Sequence, residues 1–133
     1  KIIKKNTGGL LLIDYGYLDG KMKNTLQTIS NHKYANILDN IGNIDITHNI
    51  NFNLFEKVIK KVGGLKNNLT TQKNFLIKMG IEQRAELISK NQSFSKKVNI
   101  YFRLKRLIDE KQMGNLFKVM LIKNKNNKFK LGF

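Results

Sequence analysis

The chain has 133 residues, of which 41% are hydrophobic, and 25 Lys and Arg against 9 Asp and Glu give it a net charge of +16. These values fit one globular domain and exclude a disordered chain, and the absence of Cys excludes disulfides and thiolate sites. The two His residues, His32 and His48, lack a metal-binding spacing, and no apolar run reaches transmembrane or signal-peptide character, so we expect a cytoplasmic protein without a metal centre or a membrane partner.

The first strong element is an apolar run near the start of the chain. Two glycines and four consecutive aliphatic residues occupy 8–13, and the run stops at Asp14, Tyr15 and Gly16. A short apolar run between turn signals predicts a strand over 9–14 that is buried on both faces. Ligands of open α/β sheets bind beyond the carboxyl ends of strands. These three residues are therefore candidate site residues, the alternative being a plain core strand with an acidic turn.

A loop and two weaker strands follow. Gly, Asp and Asn residues predict a loop over 15–24, residues 25–29 suit a half-exposed strand, and residues 32–43 are irregular. Residues 44–50 alternate with period two. The alternation places Ile44, Ile46, His48 and Ile50 on an apolar face and Asp45, Thr47 and Asn49 on the other. On this pattern we interpret His48 as a core histidine, whereas the role of His32 in its loop stays open.

Helix signals dominate the second half. Asn51, Thr71 and Ser95 are positioned as helix starts, Gly63-Gly64 and Gly80 as helix ends, and residues 81–89 fit another short helix.

Two further strands are predicted over 65–69 and 116–122, with a chain break at Gly114. The Lys/Asn-rich tail over 123–130 predicts frayed structure. The whole pattern predicts a single α/β domain over 1–133 that looks incomplete, because two buried central strands need more neighbours than this chain supplies.

Few motifs in the sequence indicate a particular chemistry. The sequence has no phosphate-binding or dinucleotide-binding glycine loop and no nucleophile elbow. Asp14 and Asp45 could form a carboxylate pair, although the sequence alone does not bring them together. Tyr101 and Phe102 have helical spacing, which favours a core role over base stacking.

The positive charge has two readings. Only three of the 25 basic residues are Arg, while Lys, Asn and Ile are abundant and Pro is absent. This bias is typical of an AT-rich genome, so we interpret the charge as compositional drift and do not expect a nucleic-acid partner. Residues 1–50 carry a net charge of +2 and residues 51–133 one of +14. A small basic nucleic-acid-binding module stays the alternative.

Several stretches together resemble one family, the S-adenosylmethionine-dependent methyltransferases that include the mitochondrial complex I assembly factor and its bacterial relatives. The resemblance covers the carboxyl-terminal half of that family. The matching stretches, in order, are GGLLLIDYGY at 8–17, TLQ at 25–27, His32-Lys33, GxxDIT at 42–47, INF at 50–52, TQxxFL at 71–76, GIExRA at 80–85 and MGxLFKV at 113–119.

The resemblance implies a partial class I, Rossmann-like methyltransferase fold. Residues 9–14, 65–69 and 116–122 would be its strands 5, 6 and 7, and helices over 72–90 and 95–109 would be insertions on the substrate side. It also implies protein arginine methylation linked to complex I assembly, with S-adenosylmethionine as cofactor. The cofactor loop of the family would lie upstream of Lys1, so we expect no cofactor-binding residue here, a missing amino-terminal half as partner and a protein as substrate.

A guanidinium acceptor needs carboxylates that hold it and direct one nitrogen. We therefore hypothesise that Asp14 and Tyr15 line the acceptor side as catalytic residues, and that Gly16, Asp45 and Thr47 bind substrate. Gly16 would allow close approach of a substrate or a neighbouring loop. A non-catalytic interaction domain or an inactive remnant of a gene stays open as another reading.

Overall fold

The computed structural model describes residues 1–30, 33–39 and 41–133, so the question about His32 lies outside the described residues. The helices are α1 (Ile2–Lys5), α2 (Phe52–Val62), α3 (Gln72–Lys78), α4 (Ile81–Ser89), α5 (Phe94–Ile108) and α6 (Met113–Leu116). The strands are β1 (Gly9–Tyr17), β2 (Gln27–Ser30), β3 (Lys33–Ala35), β4 (Asp45–Thr47), β5 (Ile50–Asn51), β6 (Leu65–Thr71) and β7 (Phe117–Asn124).

The strands form two sheets. A four-stranded sheet has the order β5-β1-β7-β6, and a three-stranded sheet has the order β3-β2-β4. β7 runs antiparallel to both β1 and β6, whereas β5 runs parallel to β1. The predicted strands over 9–14, 65–69 and 116–122 are confirmed as β1, β6 and β7, and β7 lies between the other two. β3 lies in a stretch for which no strand was predicted.

The core lies between α2 and one face of the larger sheet. Phe52 and Ile59 of α2 are buried against Met120 and Ile122 of β7. The partly buried hydrophobic residues around this cluster are Leu12, Ile50, Leu65 and Leu69. β7 is the most buried strand, because strands flank it on both sides.

The prediction that residues 9–14 are buried on both faces is wrong for this structure. Leu10, Leu11 and Ile13 of β1 are 45%, 46% and 50% exposed. The reason is topological: β5 pairs only with Gly16 and Tyr17, and the other edge of β1 has no strand neighbour over Gly9–Tyr15 among the described residues. The apolar run forms a strand, but one edge of that strand is open. Residues 10–13 thus lie at a sheet edge, while the small core does not close around them.

The predicted helix boundaries are largely confirmed. Asn51 caps α2 by accepting a hydrogen bond from the Leu54 N–H at 3.1 Å, and Thr71 caps α3 by accepting one from Asn74 at 3.3 Å. Gly80 has a φ of +80° at the junction of α3 and α4, a left-handed conformation that favours glycine. Within the described ranges, no helix has both the length and the apolar composition needed to cross a bilayer.

The residues at the end of β7 and beyond it make specific hydrogen bonds to the start of the chain. Side chains of Asn124 and Asn127 donate hydrogen bonds to the backbone oxygens of Lys4 and Thr7, at 2.8 and 2.9 Å. The Phe133 ring contacts the Phe75 ring at a centroid distance of 5.4 Å. These asparagine contacts hold the tail on the start of the chain, which a Lys/Asn-rich composition does not reveal.

Candidate functional site

The carboxyl ends of β1 and β5 meet at one edge of the larger sheet, because these two strands are parallel neighbours. A cavity of about 450 Å³ opens there. Its polar lining comes from Tyr17 at the end of β1, from His48 and Asn49 beside β5, and from Asn51 at the start of α2. The loop after β1 supplies the opposite wall. Crevices at such strand ends are the usual ligand sites of α/β sheets.

Asn51 connects the walls of this cavity. Its Oδ1 caps α2, and its Nδ2 donates to the Met22 sulfur at 3.6 Å. Thr25 binds the other side of the loop, since its Oγ1 accepts a hydrogen bond from the Asn49 N–H at 2.9 Å. The loop over residues 22–25 is therefore held by hydrogen bonds to Asn49 and Asn51, which lie on either side of Ile50.

Tyr17 and Lys23 form the rim. The Tyr17 hydroxyl accepts a hydrogen bond from the Lys23 N–H at 3.3 Å, and the Lys23 ammonium lies 5.2 Å from the centre of the Tyr17 ring. The same ammonium forms an ion pair with Asp19. This arrangement fixes the phenol at the cavity mouth.

His48 is exposed and lines the cavity, so its interpretation as a core histidine is wrong. β4 ends at Thr47, one residue before it. The alternation on which that interpretation rested therefore stops before His48, and the imidazole is presented to solvent at the cavity.

Asp14 is half-buried on β1, three residues before the cavity rim. Its Oδ1 accepts a hydrogen bond from the Tyr15 N–H at 2.7 Å. The residue opposite Asp14 on β7 is Lys118, but the two side chains form no ion pair. The Lys118 ammonium donates instead to the backbone oxygen of Asn115. Burial lowers the pKa of Lys118 below its ordinary value of 10.5.

Tyr15 lies on the opposite face of β1 from Asp14, because side chains alternate along a strand. Its ring packs on the Phe117 ring with centroids 4.2 Å apart and planes tilted by 34°. The two predicted catalytic residues thus point to different faces of the sheet. Asp14 and Tyr15 therefore cannot both face a cleft that lies on one side of the sheet.

Gly16 is in close contact with this chain's own Phe52. A Cβ at Gly16 would lie 2.5 Å from Cδ2 of Phe52 and 2.7 Å from the Ile50 oxygen. Of the two reasons proposed for a glycine here, the structure therefore shows the approach of a neighbouring segment.

Asp45 and Thr47 belong to the smaller sheet, in which Asp45 pairs with Ile29. The structure does not place Asp45 and Asp14 in the same sheet. Neither Asp45 nor Thr47 lines the cavity, although the two residues that follow Thr47 do. The Thr47 Oγ1 is buried without a hydrogen-bond partner among the described residues.

Sequence reasoning missed Tyr17, His48 and Asn49 as cavity residues. Tyr17 was predicted to lie in a loop, yet β1 continues through it. The signal that could have found His48 and Asn49 is their position directly before the Asn51 cap, since the start of a helix after a parallel strand often borders a ligand site.

Within residues 1–30, 33–39 and 41–133, no glycine-rich loop for a nucleotide-like cofactor lies at this edge. Gly8 precedes β1 and Gly9 is its first residue, so both lie at the opposite end of the sheet, and the space beside Gly16 is filled by Phe52. The glycines at these positions therefore do not provide a cofactor-binding loop.

Comparison with known proteins gives the family. The family model described as "Putative S-adenosyl-L-methionine-dependent methyltransferase" matches residues 1–71. The mitochondrial protein arginine methyltransferase NDUFAF7 of Xenopus tropicalis is 29% identical over 112 residues, which are 84% of this chain and 26% of the relative. The protein of the same name from Danio rerio is 25% identical over 126 residues, 92% of this chain and 28% of the relative. The chain thus spans little more than a quarter of these relatives.

Solved structures agree on the fold. A crystal structure of an uncharacterised protein from Burkholderia thailandensis superposes with a TM-score of 0.82 at 22% identity, covering 98% of this chain and 38% of that one. A second structure from the same organism, bound to S-adenosyl-homocysteine, gives a TM-score of 0.74 at 25% identity over 94% of this chain and 34% of that one. Because the family model matches more than half of the chain and these structures share its Rossmann-like α/β architecture, the chain belongs to this S-adenosyl-L-methionine-dependent methyltransferase family.

Proposed function

We propose that this chain forms the acceptor side of an S-adenosylmethionine-dependent protein arginine methyltransferase. The observation that carries the proposal is the cavity at the carboxyl ends of β1 and β5 in a chain of this family. The relatives from Xenopus tropicalis and Danio rerio are named as protein arginine methyltransferases. A link to complex I assembly belongs to this proposal as well.

The proposed chemistry uses the side chains of this chain to position an arginine. Asp14 lies on β1 three residues before Tyr17 and outside the cavity lining, and it forms no ion pair among the described residues, so its side chain is open to a guanidinium. Tyr17, His48 and Asn49 supply hydrogen-bonding groups around the cavity. When bound to the complete enzyme, S-adenosylmethionine supplies the methyl group. The task of this chain is to orient the accepting nitrogen and to exclude water.

Completion of the enzyme would take place at the open edge of β1. Unpaired N–H and C=O groups along Gly9–Tyr15 are a template for another strand. Exposed aliphatic side chains on the same strand offer apolar area to that neighbour. The proposed partner is the amino-terminal part of the methyltransferase fold, which brings the cofactor site.

The test is methyl transfer by the chain combined with such an amino-terminal part. We expect transfer of tritiated methyl from S-adenosylmethionine to an arginine-containing protein, and loss of at least about 100-fold in Asp14→Asn, because a neutral amide cannot pair with a guanidinium. Asp39→Asn is the matched control, since Asp39 is an exposed aspartate that does not lie on β1. Equal activity of both variants, with circular dichroism unchanged, would refute the role of Asp14.

Cofactor binding by the chain alone tests the proposal that the cofactor site lies in another part of the enzyme. We expect no binding of labelled S-adenosylmethionine in the micromolar range, because the chain lacks a glycine-rich loop at the relevant edge. Micromolar affinity of the isolated chain would contradict the proposal that it holds only the acceptor side.

A further inference from the structure

A second cavity, of about 760 Å³, lies at the opposite end of the larger sheet. Its walls come from the end of α2, the start of β6, the end of β7 and the tail. Six lysines line it: Lys60, Lys66, Lys123, Lys125, Lys128 and Lys130. The volume is within the range of small-molecule sites.

The wall that carries three of these lysines is held by specific hydrogen bonds. Asn124 accepts from the Asn126 N–H through Oδ1 and donates to the Lys4 oxygen through Nδ2, at 2.9 and 2.8 Å. Asn127 accepts from the Phe129 N–H and donates to the Thr7 oxygen, both at 2.9 Å. The tail therefore presents its lysines from a fixed backbone, which lowers the entropy lost when a ligand binds.

Lys123 places a buried cation in the wall of this cavity. It is only 4% exposed, and its ammonium donates to the Phe129 backbone oxygen. Among the residues that the structure describes, none of the six lysines forms an ion pair. A buried or crowded cation without a counter-charge is unfavourable, so an anion in the cavity would relieve the cost.

The remaining lining decides which anion fits. Three amides, Asn67, Asn68 and Asn127, also belong to the lining, but the Nδ2 groups of Asn67 and Asn127 already donate to the Glu56 carboxylate at 2.7 Å and to the Thr7 oxygen at 2.9 Å. No aromatic or Arg side chain is part of the described lining. Bases would therefore find nothing to stack on, whereas phosphate oxygens would meet lysines as point charges.

We propose that this lysine cavity binds a small anion of linked phosphates, such as tripolyphosphate or the phosphate chain of a nucleotide. The proposal goes beyond methyl transfer, since the cavity is built from the other end of the sheet. It is also an alternative to compositional drift as the origin of the positive charge, because drift predicts lysines spread evenly over the surface.

The test is calorimetric titration of the full 133-residue chain with sodium tripolyphosphate at low and at physiological salt. Lys66, Lys125 and Lys128 are exposed and are changed together to Gln, which removes three charges from the cavity. The matched control changes Lys90, Lys96 and Lys105 to Gln, which removes three exposed charges elsewhere. We expect affinity to fall at least about tenfold in the cavity variant and less than about twofold in the control.

Three results would overturn the proposal. The first is that no binding is detected with about 1 mM tripolyphosphate in low salt, because the dissociation constant would then lie above the millimolar range. Another is equal weakening by both triple variants, which shows diffuse charge. The third is tighter binding of a single-stranded oligothymidylate than of tripolyphosphate, which assigns the surface to nucleic acid. Circular dichroism of both variants establishes that they fold.

Discussion

Gly16→Ala offers a sharp test of the structure, because one methyl group is added at a position with no room. The new Cβ would lie 2.5 Å from Cδ2 of Phe52 and 2.7 Å from the Ile50 oxygen. Carbon atoms normally rest at about 3.5–4.0 Å from one another. The ring would have to move by about 1 Å, yet Phe52 is fully buried in the core.

The expected cost follows from this geometry. Overpacking of a core by one carbon typically costs 1–3 kcal/mol, and we expect about 3 kcal/mol here because both a ring and a backbone oxygen oppose the new atom. With a urea dependence of about 1.5 kcal/mol/M, the unfolding midpoint should fall by about 2 M. The start of α2 would shift as well, since Phe52 is its first residue.

The assay is urea unfolding of the free chain followed by circular dichroism. Gly8→Ala is the control, because a Cβ at Gly8 meets nothing within 4 Å, and its unfolding free energy should stay within about 0.5 kcal/mol of the parent chain. Gly16→Ala combined with Phe52→Leu should recover part of the loss relative to the additive expectation, since the smaller side chain makes room. Equal midpoints for Gly16→Ala and Gly8→Ala would refute the packing described for β1 and α2.

Three further predictions concern α2, β7 and β1. Asn51→Ala should lower the unfolding free energy by about 1 kcal/mol, because the Leu54 N–H loses its acceptor; an unchanged urea midpoint would argue against the cap. Lys118→Met should stabilise the chain most near neutral pH. The folded-state pKa of Lys118 lies below 10.5, so between that pKa and 10.5 the unfolded chain binds more protons than the folded chain. The parent chain therefore gains stability as pH rises through this window, and the stability advantage of the variant shrinks. A difference in unfolding free energy that stays constant across pH would contradict this. Leu11→Ser with Ile13→Ser should reduce self-association of the free chain, because both side chains are half-exposed beside an unpaired edge; sedimentation velocity with unchanged distributions would count against it.

Local signals in the sequence predicted most of the secondary structure. The side chains of Asn51 and Thr71 cap helices, and Gly80 adopts a left-handed conformation. Each effect depends on residues only a few positions away, so the local sequence is sufficient to predict it. The strand at the start of the chain follows equally from its aliphatic run.

Long-range placement was harder to predict. The exposure of Leu10 and Ile13 depends on which strand lies beside β1, and that neighbour is not encoded in the run itself. His48 was misjudged because the alternation ends one residue earlier. The position of Asp45 in the smaller sheet follows from strand pairing with residues 27–29, which no local pattern specifies.

The geometry of β1 has a further consequence for how the molecule could work. Tyr17 stands at the carboxyl-end cavity, while Gly9, eight residues earlier, is paired with Lys123 of the lysine cavity. At about 3.3 Å per residue, the two openings are roughly 25 Å apart. A phosphate ligand in the lysine cavity would leave the cavity at the carboxyl ends of β1 and β5 open to a polypeptide. The two proposed ligands could therefore bind at the same time.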